Sequence, residues 1–224
     1  MPRPLRISKG GYAYHVLNRA NAKAKIFTTP GDYQGFDIAL VEAHAHIPIR
    51  ILSYCVMPNH WHLVLWPKED GELSKFMAWL TMTHAQRWNA CHQTTGFGHL
   101  YQGRFKSFPI QTDPHFLTVC RYVERNPLRS NLVPRAQDWL WSSLWRRCNG
   151  NADAQKLLSK WPISCPDHWV DLVNQPQTPE EEKALRLCIN RGQPFGATHW
   201  VEQCADRLGL QSTFRPRGRP RKGS

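Results

Sequence analysis

The stretch that most restricts the fold is Met57-Pro58-Asn59-His60-Trp61-His62-Leu63-Val64-Leu65-Trp66. From His60 onward it reads as a buried strand interrupted by two histidines. Side chains on a strand alternate faces, so His60 and His62 share one face, while Trp61, Leu63 and Leu65 take the other. Pro58 and Asn59 mark a turn, which makes this strand the second arm of a hairpin. Two imidazoles on one face are placed to hold one metal ion. Taken alone, such a pair is more often two hydrogen-bonded histidines on a half-buried strand, because short motifs match by chance.

The flanking pattern supplies the other elements. Residues 12–18 alternate as a first strand, with Tyr12, Tyr14 and Val16 against Ala13, His15 and Leu17. Pro30-Gly31-Asp32 opens a helix to about His46, with Phe36, Ala39, Leu40 and Ala43 on one face. His44 and His46 lie at its end, about 200° apart around the helix, which excludes them as a metal pair. After Pro48, residues 49–56 form a second, almost wholly apolar strand. Residues 72–90 read as a long helix with a core stripe of Leu73, Phe76, Met77, Leu80 and Trp88, and His84 lies on that stripe as a core or boundary histidine. Residues 104–111 alternate as a fourth strand. Asp113-Pro114 then supplies an N-cap and a first-turn proline for a helix running to Asn126, where Pro127 stops it.

The first six elements fit an α+β, ferredoxin-like split βαβ core, a mostly antiparallel sheet with helices on one face. Three divisions follow: a core over 1–147, a helical appendage over 148–212 and a basic tail over 213–224. Prolines cut the appendage into short pieces. Its clearest helix opens at Thr178-Pro179-Glu180-Glu181 and runs to Arg191, and another spans 197–208. The tail carries Arg215, Arg217, Arg219, Arg221 and Lys222 with no acid, and its interleaved Pro and Gly make it disordered when free.

Charge narrows the partner. A formal net charge of +12 over 224 residues suggests a polyanion, nucleic acid ahead of a membrane surface, with an inert basic surface as the alternative. The seven cysteines are spaced singly, which argues against a zinc ribbon or a thioredoxin-like site. An odd count behind an N-terminus without a signal-like apolar run fits a reducing cytoplasm. No charge-free stretch approaches membrane-spanning length.

The helix after Asp113 buries Phe116, Val119, Cys120 and Val123. Tyr122 and Asn126 stand four apart at the edge of that stripe. A half-buried tyrosine is by itself ordinary. Two histidines on a strand together with a carboxamide or acid from a helix, however, can hold a hard divalent ion beside that tyrosine. A phenol with a pKa of about 10 is a poor nucleophile. Next to a cation and a phosphodiester it becomes a usable one, and its product is a covalent phosphotyrosine.

Met57-Pro58-Asn59-His60-Trp61-His62 resembles the REP-associated tyrosine transposases, relatives of the single-tyrosine HUH transposases. So do Gly98-His99-Leu100-Tyr101-Gln102-Gly103-Arg104-Phe105-Lys106 and Arg121-Tyr122-Val123-Glu124-Arg125-Asn126-Pro127-Leu128-Arg129. The likeness is strong over residues 1–147. It implies cleavage of single-stranded DNA at hairpins of repetitive extragenic palindromes, assisted by Mg²⁺ or Mn²⁺, through a 5′-phosphotyrosine. His60 and His62 fall on the HUH histidines, Tyr122 on the nucleophile and Asn126 on the third-ligand position. Asn18 and Arg19 are candidates for reading an unpaired base. Arg104 and Lys106 are candidates for phosphates, or else an exposed solvated pair. Arg217 and Arg219 resemble an AT-hook, or else belong to a generic basic tail. The competing readings are a domesticated, non-cleaving DNA- or RNA-binding regulator and a zinc hydrolase, the latter lacking an acidic third ligand. Monomer and homodimer both stay open.

Overall fold

A computed structural model describes residues 7–96 and 98–215. Four strands form one sheet: β1 (Ala13–Arg19), β2 (Arg50–Met57), β3 (His60–Trp66) and β4 (Lys106–Ile110). They lie in the order β2-β3-β1-β4 with every neighbouring pair antiparallel. β1 and β2 therefore run the same way with β3 between them, as the ferredoxin-like expectation requires. The crossover helix α1 (Pro30–His46) starts at a reciprocal cap, in which Thr29 accepts from the Asp32 N–H and the Asp32 carboxylate accepts from the Thr29 N–H. The second crossover helix is α2 (Glu72–Cys91).

Both crossover helices pack on one face. Tyr14, Val16, Trp61, Leu63 and Leu65 meet Phe36, Leu40, Phe76 and Leu80 there. Each such large side chain removed from water contributes roughly 1.5–3 kcal/mol. His84, buried on this face, is internally satisfied: the Trp61 indole donates to the Tyr101 hydroxyl, which lies 2.8 Å from His84 Nδ1.

The sheet's other face is apolar as well, with Leu52, Cys55, Val64, Phe108 and Ile110, and it too needs a cover. The cover begins with α3 (Pro114–Glu124), capped by Asp113, and a single turn α4 (Asn126–Arg129). Leu144 of α5 (Ser143–Asn149) joins it, and beyond α6 (Ala152–Gln155) so do α7 (Trp169–Asn174) and α8 (Pro179–Arg191), after which α9 (Thr198–Leu208) follows. Trp169, Val173 and Leu185 from α7 and α8 enter the same core as Phe116, Val119 and Val123. The second half of the chain thus seals the face that the crossover helices leave bare.

Polar ties reinforce this packing. Glu124 is fully buried, and its carboxylate accepts from Ser53 on β2, Ser143 on α5 and Trp169 on α7. Arg121 and Arg125 donate to the carbonyls of Gln175 and Pro176. The backbone around Phe195 pairs with Pro109 and Gln111, adding a parallel bridge beside β4.

Two boundaries differ from expectation. β4 begins at Lys106 rather than Arg104, because its ladder with β1 ends at the Leu17–Lys106 pair and the chain then turns so that Tyr101 bridges Ala20. Pro127 does not stop the chain's helical course. It has no N–H and interrupts the ladder, yet the N–H groups of Arg129 and Ser130 resume it on the carbonyls of Arg125 and Asn126. Among the described residues, no helix is long and apolar enough to cross a membrane. Arg217 and Arg219 lie outside the described residues.

Candidate catalytic site

The register of β1 against β3 sets His60 opposite Arg19 and His62 opposite Leu17. Strand alternation turns both imidazoles toward α3 while Trp61 and Leu63 enter the opposite core. The two imidazole centroids are 5.0 Å apart with nearly perpendicular planes.

Each ring is held by its Nδ1. His60 Nδ1 lies 2.6 Å from Asn59 Oδ1. A carboxamide oxygen only accepts, so His60 Nδ1 carries the proton and Nε2 keeps its lone pair. His62 Nδ1 lies 2.8 Å from Nε2 of His15, a buried residue of β1. When His62 is the donor there, its Nε2 is also free as a lone pair. Hydrogen-bonding the far nitrogen is how proteins orient metal-binding histidines.

Burial holds all three rings neutral at physiological pH. His60 is lowered to about 4, with help from the nearby positive charges of Arg19 and Arg129. His15 is lowered to about 3, and His62 well below its ordinary value. A neutral imidazole is the form that binds a metal.

α3 brings Tyr122 against this pair. Its ring stands edge-on to His62, with centroids 5.9 Å apart at 88°, and the side chain is nearly buried. The Arg129 guanidinium lies over that ring, its central carbon 4.3 Å from the centroid. Arg129 Nη2 donates to Asn126 Oδ1 at 2.9 Å. Asn126 Nδ2 is buried with no hydrogen-bond partner. A carboxamide oxygen has two lone pairs, so Asn126 Oδ1 can serve Arg129 and still face a cation. Among the described residues, no group of three or more His, Cys, Asp or Glu is arranged for a metal. Asn126, one turn beyond Tyr122 on the helical course, offers a carboxamide oxygen as a candidate third donor. Two neutral imidazoles and an amide oxygen leave most of a divalent ion's charge for a phosphate, so the donor set fits Mg²⁺ or Mn²⁺ in such a role.

The remaining candidates fall into two groups. Arg19, Arg104 and Lys106 line one cavity of about 370 Å³ together with Asn18, Gln102 and Asn190. Although Arg104 has left the strand, it still converges with Lys106 and Arg19. Asn18 has internal partners, which leave one amide hydrogen and one lone pair over: its amide donates to the Gly103 carbonyl and its oxygen accepts from the Arg19 N–H. That makes it a brace for the 101–104 loop.

Two residues central to the site, His15 and Arg129, are not singled out by the sequence pattern. Arg129 had a weak signal, since it stands three residues beyond Asn126 and seven beyond Tyr122, which is one helical face. His15 had none, because its partner is fixed only by the β1–β3 register.

Comparison with known proteins gives likenesses in sequence and in fold. A family model described as "Transposase IS200 like" matches residues 8–126, from before β1 through Asn126. A Haemophilus influenzae protein described as a REP-associated tyrosine transposase is 22% identical over 148 residues, which is 62% of this chain and 82% of that protein. A solved structure of a REP-associated tyrosine transposase bound to a REP hairpin aligns with a TM-score of 0.56 at 18% identity, covering 80% of this chain and 99% of that one. At that identity the likeness is one of fold.

Proposed function

The chain belongs to the IS200-like transposase family, and from that premise we propose that it nicks and rejoins single-stranded DNA at hairpins of the REP type. The observation that carries the proposal is Tyr122 held edge-on against His62, on the same face as His60. The solved relative of the same fold was bound to a REP hairpin, which supports a hairpin as the substrate.

His60 and His62 would hold a divalent ion through their Nε2 atoms, with Asn126 supplying a carboxamide oxygen. When bound, the ion withdraws charge from the scissile phosphate and orients it. Every other part is played by the chain. Asn59 and His15 keep the two Nε2 atoms directed at one place. Arg19, Arg104 and Lys106 attract the DNA backbone. Tyr122 Oη attacks phosphorus, its proton passing to water, and the bond from phosphorus to the 3′-oxygen breaks. That oxygen leaves with a proton as a 3′-hydroxyl, and the 5′-phosphate stays esterified to Tyr122. Rejoining is the reverse, with an incoming 3′-hydroxyl displacing the tyrosine.

A non-cleaving binder would need neither a tyrosine beside the histidines nor two imidazoles with braced Nδ1 atoms. The direct test is to incubate the full chain with 3′-labelled single-stranded hairpin DNA and Mn²⁺ or Mg²⁺. A protein-linked label on a denaturing gel, lost with chelator and absent with fully duplex DNA, is the expected result. Tight hairpin binding with no linked label under any divalent ion would instead favour the non-cleaving regulator.

A further inference from the structure

We infer that Arg129 is a further catalytic residue, which locks Tyr122 and Asn126 in place and offers its remaining nitrogen to the scissile phosphate. The inference rests on the tyrosine mechanism proposed above. Three features of one guanidinium carry it. Its central carbon stands over the Tyr122 ring, 4.3 Å from the centroid, while His62 meets the same ring edge to face. Its Nη2 is committed to Asn126 Oδ1 at 2.9 Å. Its Nη1 is buried and has no hydrogen-bond acceptor.

An orphaned guanidinium nitrogen in a closed site is costly unless something completes it, and native structures rarely leave such donors without a role. The nearest acid is Glu182 on α8, with Oε1 3.9 Å from Arg129 Nη1, too far for a hydrogen bond. Glu182 already pairs with Arg186 at 2.8 Å. Arg19 has the same character on the other flank: it stands opposite His60, and its Nε is also buried and unpartnered. Arg129 and Arg19 thus bracket the histidine pair with donors that lack acceptors. A planar fork with donors to spare matches phosphate oxygens. Charge developing on those oxygens as the phenol attacks is what such a donor stabilises.

The alternative is that Arg129 is a structural pin between Tyr122 and α8. Single-turnover adduct formation separates the two, using saturating hairpin DNA that carries either a normal scissile phosphate or a neutral methylphosphonate there. Arg129→Gln should slow the reaction on the normal phosphate by about 10²–10³-fold. DNA affinity and calorimetric Mn²⁺ affinity should stay within a few-fold of wild type. On the methylphosphonate the gap between wild type and variant should shrink to a few-fold, since the charge that Arg129 meets is gone. Guanidinium ion added to the Arg129→Gln protein should recover part of the rate. Glu182→Gln should react like wild type.

Arg129→Lys keeps the charge without the fork, so a rate between the two extremes is expected, and it serves as the measured variant should Arg129→Gln fail to fold. Equal rates in wild type and variant, an undiminished gap on the methylphosphonate, or a comparable loss in Glu182→Gln would each overturn the inference. A wild type that forms no Tyr122-dependent adduct removes the tyrosine mechanism and this inference with it. A Tyr122-dependent adduct formed at the wild-type rate by Arg129→Gln removes this inference alone.

Discussion

The two faces of the sheet are built from the same strands but are finished differently. On the face under α1 and α2, polar groups close on one another: Trp61 donates to Tyr101, and Tyr101 meets His84. On the face under α3, buried side-chain donors without partners accumulate, including Arg19 Nε, Asn126 Nδ2 and Arg129 Nη1. A buried polar group left unpaired calls for an explanation, and a bound ligand is one. Both faces carry apolar core, but the second also holds these donors and the histidine pair, and alternating residues of β3 serve both. Trp61 belongs to the first, His60 and His62 to the second.

Changes on each face should separate these roles. The largest expected effect is from the double variant His60→Ala/His62→Ala, which should lose covalent cleavage altogether and lose Mn²⁺ binding in calorimetry. The cooperative thermal transition should survive, because neither imidazole belongs to the apolar cluster on either face of the sheet. Equal Mn²⁺ binding in wild type and variant would end the metal-pair reading. Trp61→Ala, one residue away, should do the opposite and cost about 3–5 kcal/mol of stability through a cavity in the core under α1 and α2. Urea denaturation measures this, and a loss below about 1 kcal/mol would show that the two faces are not divided as described.

His15→Ala sharpens the comparison from within the second face. It removes the brace on His62 Nδ1 but neither of the two imidazoles that would face the ion. Mn²⁺ affinity should fall about 10- to 100-fold, as when a histidine ligand loses its supporting hydrogen bond. An unchanged affinity would make His15 a packing residue only. The smallest effect concerns the chain's end. Deleting residues 215–224 should weaken DNA binding and flatten its salt dependence, because fewer counterions are released. A salt slope identical to wild type would take Arg217 and Arg219 out of the interface.

Much of this was legible in the chain because the signals are local. Alternation through His60–Trp66 fixes both a strand and its two faces, and the Thr29–Asp32 and Asp113–Pro114 caps fix two helix starts. What was not legible depends on distant partners. Arg104 alternates with Lys106 as a strand would, but the strand ends where β1 stops offering ladder partners. The sheet's second face could not be assigned a cover, since α7 is short and, although α8 is legible as a helix, the core residues of both pair with α3 only in three dimensions. His15 and Arg129 were hidden for the same reason. One needs the register between β1 and β3, and the other needs the fold of α4 back over Tyr122.

The central claim is that Tyr122 attacks the phosphate, and one substitution isolates that role. Tyr122→Phe removes a single oxygen and keeps the ring that His62 and Arg129 contact. Stability should change by less than about 1 kcal/mol, and Mn²⁺ and hairpin affinities should stay within a few-fold of wild type. The deciding measurement is a denaturing gel of the metal-loaded variant incubated with 3′-labelled hairpin DNA. The account predicts no protein-linked label in the Tyr122→Phe lane beside a clear band in wild type, whereas a linked band of wild-type strength in that lane would contradict it.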